Sequence, residues 1–506
     1  MKKIIYILIL ISTLVGCESQ LDQVNPNVLT QENFWKTEND ILTGLAATYK
    51  YLKQTTNGYW GYRVVQLQSG RGDDFFIRND NRDMYLLSTF TNSPTTSIPG
   101  YLFTGAYTGI FRANQVIENT PNAEISEEQK RQFIAEAKFL RALNYYHLVI
   151  NFGAVPIHTS VPKSRDEYFT KQSSEEEVWA QAMSDFEEAK ANLPLSYPSE
   201  WVGRATQGAA IGYLGKAYVY QKKWAEAENE FKLLAQPTGQ PMAPYTYNLL
   251  IDYEQNFLKE YDNNVESLFE IQVQNVGGAD GWAAENANES QGVIIAYGNA
   301  PAEVGGWFQM HPTNKMFDEF QKEKTIDGDF DPRMYASIVW DYPGAMFYNR
   351  PFSDFALVFG KKSKVRKYQN WRNDNEGIDG SSEINEKALR YADIILLYAE
   401  ALIMQNREEA AYPLINRIRN RANLTDLPAG LNHEELMAEI RHQRMVEFFR
   451  EGQRFFDLRR WGLLEQEIAN SDKEGRDYFD LTRHAYFPIP QNELNTNPNI
   501  EQNPFW

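Results

Sequence analysis

The residue best placed for covalent chemistry is Cys17, the only cysteine among 506 residues. Met1, Lys2 and Lys3 precede an apolar run from Ile4 to Gly16, a charged start followed by a short apolar stretch. Leu14-Val15-Gly16-Cys17 has the pattern of a bacterial lipid-anchor signal, in which cleavage before the cysteine precedes acylation of its thiol. The run falls short of the roughly 20 apolar residues a membrane span needs. The expectation is a signal peptide over 1–16, a lipidated Cys17 and a polar tether to residue 29. The competing reading is an ordinary secretory signal with a chance cysteine.

Motifs for other chemistry mostly fail. His433-Glu434-Glu435-Leu436-Met437 opens like a zinc-protease helix, but Met437 stands where the second histidine must lie one turn on. Gly70-Arg71-Gly72 lacks the third glycine of a dinucleotide loop. Asp327-Gly328-Asp329-Phe330-Asp331 resembles a calcium loop, yet Pro332 and Ile338 replace the required Gly and Glu, so a solvated turn is the simpler reading. A paired-carboxylate glycosidase stays open, because Asp and Glu are abundant and their separation in space is not written in the sequence. No metal or cofactor is expected. The net charge of −18 repels phosphate backbones and argues against nucleic acid as a partner.

Helical patterns occupy both ends of the chain. Asn39–Gln54 is one, with Asn39 or Asp40 as its expected cap. Phe111–Asn119 is another, and Ser126-Glu127-Glu128-Gln129 has the form of a capping box opening a long helix to about Asn151. Residues 173–235 predict three further helices. Ala210, Gly215 and Ala217, followed by Trp224-Ala225-Glu226-Ala227, resemble a tetratricopeptide (TPR) helical pair. Ala388–Gln405, Glu408–Ala422 and Glu434–Glu465 predict a similar group. In the last, Arg441–Arg460 interleaves with Glu447, Glu451 and Asp457, which predicts internal ion pairs; Arg390 and Asp393, one turn apart, predict a paired unit. Trp35, Trp179, Trp224 and Trp461 sit in helical patterns and are assigned to packing. Residues 55–109 and 236–386 are loop-rich, with strand-like runs at Ser267–Val273 and Val293–Tyr297. Loops on a rigid frame carry function disproportionately.

Ordered motifs along this frame carry a family resemblance. They include Phe34-Trp35, Arg112-Ala113-Asn114, Glu136 through Ala142, Phe152-Gly153 and Arg204-Ala205-Thr206. Further on come Pro312-Thr313, Asp331-Pro332-Arg333, Leu389 through Asp393, Tyr398 through Ala401, Arg444 through Glu447, Asp457 through Gly462 and Pro488-Ile489-Pro490. Together they resemble the SusD/RagB family of outer-membrane lipoproteins. The resemblance implies a mainly α, SusD-like fold: TPR-like pairs as scaffold, with loop-rich, partly β insertions forming the ligand face. It implies one domain over 30–506, with an N-terminal half to about 235, a ligand region over 236–386 and a C-terminal helical part from 387. It also implies a lipid-anchored protein on the cell surface of the outer membrane, acting as a hinged lid over a SusC-like TonB-dependent barrel. The implied ligands are oligosaccharides or polysaccharides, in some members peptides, bound without catalysis. A glycan-degrading enzyme and a TPR scaffold for proteins are the readings from other classes.

Saccharide binding calls for flat aromatic rings against C–H faces and for planar polar partners to the hydroxyls, a few convergent polar groups beside an apolar platform. The loops supply both. Trp60, Tyr62, Asp74, Arg78 and Asn79 lie in the first loop-rich stretch. Trp282, Trp307, Trp340 and Trp371-Arg372-Asn373 lie in the second. Plainer roles compete: Trp307 precedes the framework motif His311-Pro312-Thr313, Trp340 follows an apolar run and ends a buried strand on that reading, and Arg78 has Asp80 and Asp83 as nearby partners.

Overall fold

The computed structural model describes residues 34–53, 58–61, 64, 68–274, 295–374 and 382–506. The expected signal peptide, Cys17, the tether, Tyr62 and Trp282 lie outside the described residues. Among the described residues no helix is long and apolar enough to cross a membrane.

Among the described residues the architecture is mainly helical, as expected, and the sheets are two-stranded. Helix starts follow local chemistry. Ser126 accepts from the Gln129 N–H while Gln129 answers the Ser126 N–H, and Glu127–Phe152 follows. Ser174 opens Glu175–Asn192 and Asn432 opens His433–Glu447 by the same reciprocal bonds. The first helix starts at Glu38, one residue before the expected Asn39, and its cap is Thr37 rather than Asn39 or Asp40: the Asp40 N–H donates to Thr37 Oγ1, and the Asp40 carboxylate accepts from the Thr37 N–H. Phe111–Asn119 proves to be the end of a longer helix, Ser97–Asn119.

Consecutive helices pack side by side. Glu127–Phe152 lies between Ser97–Asn119 and Glu175–Asn192. Gln207–Tyr220 packs on Glu175–Asn192 and on Trp224–Leu234, to which a three-residue turn joins it. Gly215 allows that pair its closeness, since a Cβ there would sit 2.4 Å from the Phe231 ring. Tyr391–Ile403, buried at every residue, is the central helix of the C-terminal group. It packs on Trp224–Leu234, Glu408–Arg421 and His433–Glu447. Trp179 is buried, and Trp35, Trp224 and Trp461 pack partly buried on the core.

Three expectations need correction. Ala388–Gln405 is not one helix: Glu386–Arg390 is a strand antiparallel to Ser267–Ile271, and the helix begins at Tyr391. Glu434–Glu465 is broken near Gly452 and Gly462, whose φ angles of 70° and 74° interrupt the helical path. Of the Val293–Tyr297 run, the described part begins the helix Ile295–Asn299 rather than a strand.

The charged residues are paired internally, but across elements. Asp393 takes Lys216 and Arg444, at 2.6 and 2.7 Å, not Arg390. Arg390 reaches Glu266, Glu447 and Glu451 instead. Arg333 and Arg421 share Glu447, and Lys367 pairs with Glu451 at 2.7 Å. Burial opposes ionisation of Glu447, but the charges of Arg421, Arg390 and Arg333 hold it well below the ordinary carboxylate range.

Candidate functional site

The site is built on the antiparallel pair of Phe75–Ile77 with Met310–Pro312. Side chains alternate along a strand. Phe75 and Ile77 therefore enter the core, while Phe76 turns the other way, opposite His311 in the register. The buried Lys473 ammonium fixes the strand by donating to the carbonyls of Gly70 and Phe75. Just beyond the strand, the Arg78 N–H donates to the Gln309 carbonyl at 2.9 Å.

Three groups orient the Arg78 side chain. Its Nη1 donates to the Trp307 carbonyl at 3.1 Å, its guanidinium lies 3.7 Å over the Phe308 ring, and Asp80 pairs with it at 3.0 Å. From Phe308 the rings continue through His311, Phe359 and Phe76, with centroids 6.3, 5.4 and 5.3 Å apart in turn. Trp307 flanks the strip, edge-on to Tyr297 at 5.1 Å. Phe359 is 54% exposed. Phe308 and Phe359 have φ of 40° and 57°, where bulky side chains rarely sit and where functional sites hold backbone strain. Burial, then the charges of Lys364, Arg78 and Lys361, lower the His311 pKa to about 3, so its imidazole is neutral.

Past Phe76 the strip opens into a groove of about 580 Å³, with residues 472–477 as its far wall. Lys361 Nζ lies 5.3 Å over the Phe76 ring and donates to Asp472 at 2.6 Å. Burial raises the Asp472 pKa, but the Lys361 bond and the N–H groups of Asn314 and Lys315 bring it below the usual value. Glu474 accepts from the Tyr85 hydroxyl, and Arg476 is exposed. A row of aromatic rings, with paired charges at both ends, suits a ligand with flat apolar faces and a hydroxylated rim.

Arg78 and Trp307 are thus brought together, and Asn79 is exposed beside them. Trp371, Arg372 and Asn373 form a separate group. Arg366 stacks 3.4 Å over the half-buried Trp371 ring, and Glu254 pairs with both Arg366 and Arg372.

Three expected ligand contacts are core residues instead. Trp60 is buried edge-on to His147 at 4.8 Å. Trp340 is buried among Phe317, Phe330, Tyr335 and Tyr342. Asp74 is 2% exposed, and burial plus the neighbouring Asp73 charge push its pKa up to about 7. Asp73 itself holds Arg454 bidentately at 2.7 and 2.9 Å. Phe359, Lys361 and Asp472 were missed by sequence reasoning. The exposed aromatic of Phe359-Gly360 in a turn was their one local signal.

Residues 265–506 match the SusD family, and residues 21–219 match the family described as starch-binding associating with outer membrane. A solved SusD superfamily protein from Bacteroides vulgatus is 36% identical, over 94% of this chain and 100% of that one, with a TM-score of 0.84. The chain belongs to the SusD family. A solved laminarin-binding SusD-like protein is 26% identical, over 93% of this chain and 100% of its own, with a TM-score of 0.78. SusD-like protein P2 of Formosa agariphila is 27% identical, over 99% of both chains.

Proposed function

We propose that this SusD-family chain is a cell-surface lipoprotein that binds a glycan along the Arg78–Phe359 strip and delivers it, without cutting it, to a SusC-like TonB-dependent barrel. The observation that carries this reading is the strip itself: the exposed Phe359 and the half-buried Phe308, both at positive φ, beside the strand pair that carries Phe76 and His311, flanked by oriented polar groups. The laminarin-binding relative supports a glycan as the ligand class. The Cys17 signal supports lipid anchoring, and the starch-binding, outer-membrane-associating description of one matched family supports the location. Trp371, Arg372 and Asn373, with Trp282, are proposed as an outlying contact for a longer chain of sugars.

Calorimetric titration of residues 18–506 against oligosaccharides, including laminari-oligosaccharides, with short peptides as a second panel, tests the reading. Saturable heat with one glycan class is expected. Arg78→Ala and Phe359→Ala should each weaken binding about tenfold, about 1.4 kcal/mol. Unchanged affinity in both variants overturns the site, and heat with peptides alone overturns the ligand class. Release of reducing sugar from the bound glycan overturns binding without cutting. Failure of the full chain to co-purify with a SusC-like barrel overturns delivery.

A further inference from the structure

A second cavity, of about 380 Å³, lies on the helical frame and shares no lining residue with the groove at Phe76. One wall is a face of the helix Ser97–Asn119, where Phe103, Tyr107 and Phe111 follow one another at four-residue spacing. His158 and Phe169 form the opposite side, and the C-terminal helix Gln491–Thr496 brings Glu493 to the rim. The C-terminal segment is tied down there: Asn497 Nδ2 donates to the Thr170 carbonyl at 2.9 Å, and Asn499 Nδ2 to the Phe169 carbonyl at 2.5 Å.

Several polar groups of the lining are already used. Asn114 donates to the carbonyls of His158 and Ser160 and accepts from Arg141, and the Tyr107 hydroxyl donates to the Pro156 carbonyl at 2.6 Å. The Glu493 carboxylate, the one carboxylate of the lining, is not. It is partly buried, and among the described residues no ion pair or hydrogen bond meets it. Burial alone raises its pKa, with no cation offsetting the effect. His158 is no counter-ion, because burial lowers its pKa and leaves the ring neutral near pH 7.

A partly desolvated anion beside aromatic faces complements an organic cation: ring faces attract positive charge, and the cation restores the stabilisation the carboxylate lost on leaving water. A neutral sugar brings no positive charge and leaves that carboxylate uncompensated. We infer that this cavity binds an organic cation of amino-acid size, a protonated amine or guanidinium on a short apolar stem, with its charge at Glu493 and its stem among Phe103, Tyr107 and Phe111. The volume is near the lower end of the usual small-ligand range of roughly 300–1,000 Å³.

The test is calorimetry on the full chain in detergent with Nα-acetyl-arginine methyl ester, tetramethylammonium and the neutral Nα-acetyl-citrulline methyl ester. Saturable binding of both cations is expected, with the citrulline ester at least tenfold weaker. Glu493→Gln should remove the preference for arginine over citrulline while leaving the thermal midpoint unchanged or higher, since no partner is lost. Phe111→Ala, which keeps the charge, should weaken both esters together. A short peptide with one internal arginine separates the two sources of such a cation: tighter binding than the ester assigns the site to a partner's basic side chain, and weaker binding to a free small molecule. Silence with every cation, equal affinity for the two esters, or wild-type preference in Glu493→Gln overturns the inference.

Discussion

Two regions of this molecule use the same residue types in opposite ways. Around Glu447, four cations, Arg333, Lys367, Arg390 and Arg421, meet four carboxylates, Asp331, Glu266, Glu447 and Glu451, all with side chains nearly inaccessible to solvent. Around Arg78, a part-buried guanidinium meets a row of rings that ends at the exposed Phe359, with a single ion pair at 3.0 Å to a half-exposed Asp80. The first region joins element ends: Glu266 precedes one strand, Arg390 ends another, and Arg421 and Glu447 end two helices. The second joins loops to the strand pair that carries Phe76. Buried charge here joins the frame; the charge beside the rings is only partly buried and lies next to an exposed ring.

The hardest way to break this contrast is Arg390→Ala. Three carboxylates would lose their shared partner inside the protein, and breaking a buried pair costs about 3–5 kcal/mol. Denaturant titration should show that loss or an unfolded chain. A cost below 1 kcal/mol would mean that the network does not hold the frame.

A smaller effect comes from pH. His442 lies 2.6 Å from Glu319 and 3.2 Å from Glu323. Burial opposes its protonation, but the bonds to both carboxylates raise its pKa from 6.5 to about 9. The two carboxyls, against their own burial and chiefly through His442, fall from 4.5 to about 2. The histidine's contribution is full below pH 6.5 and is lost as pH rises through about 9. The carboxylates' contribution is full above pH 4.5 and is lost as pH falls through about 2. Stability from this unit should therefore be greatest between pH 4.5 and 6.5. His442→Gln should flatten the decline above pH 7, worth roughly 1–3 kcal/mol. An identical slope in the variant would remove the triad from the frame.

The smallest change in stability should come from the face. Phe359→Ala is expected to shift the unfolding free energy by no more than about 0.5 kcal/mol, since an exposed ring supports little of the core. A midpoint drop as large as that of a core substitution would make the ring a structural residue and erase the contrast between the regions.

The capping box at Ser126 was legible in sequence because it is local. Ser126 and Gln129 are three residues apart, and their reciprocal bonds need nothing else. The closeness signalled by Gly215 was legible too, since few reasons put a glycine inside such a helix. Arg78, Asn79 and Trp307 stood out as polar and aromatic residues in loops. Trp60 and Trp340 stood out equally and are core, because a tryptophan in a loop-rich segment carries no periodicity to tell a surface from a small aromatic nest.

The sequence by itself determined the helical frame, the family and the acidic balance, because caps, 3.6-residue periodicity and ordered motifs act over a few residues at a time. Tertiary structure decided which charge met which. Arg390 faces Glu266 rather than Asp393 because residues 386–390 took the free edge of a strand instead of a helical turn. It also decided the site. Phe76, His311, Phe359 and Asp472 are far apart along the chain, and only the pairing of Phe75–Ile77 with Met310–Pro312, and the turns packed around it, sets them side by side.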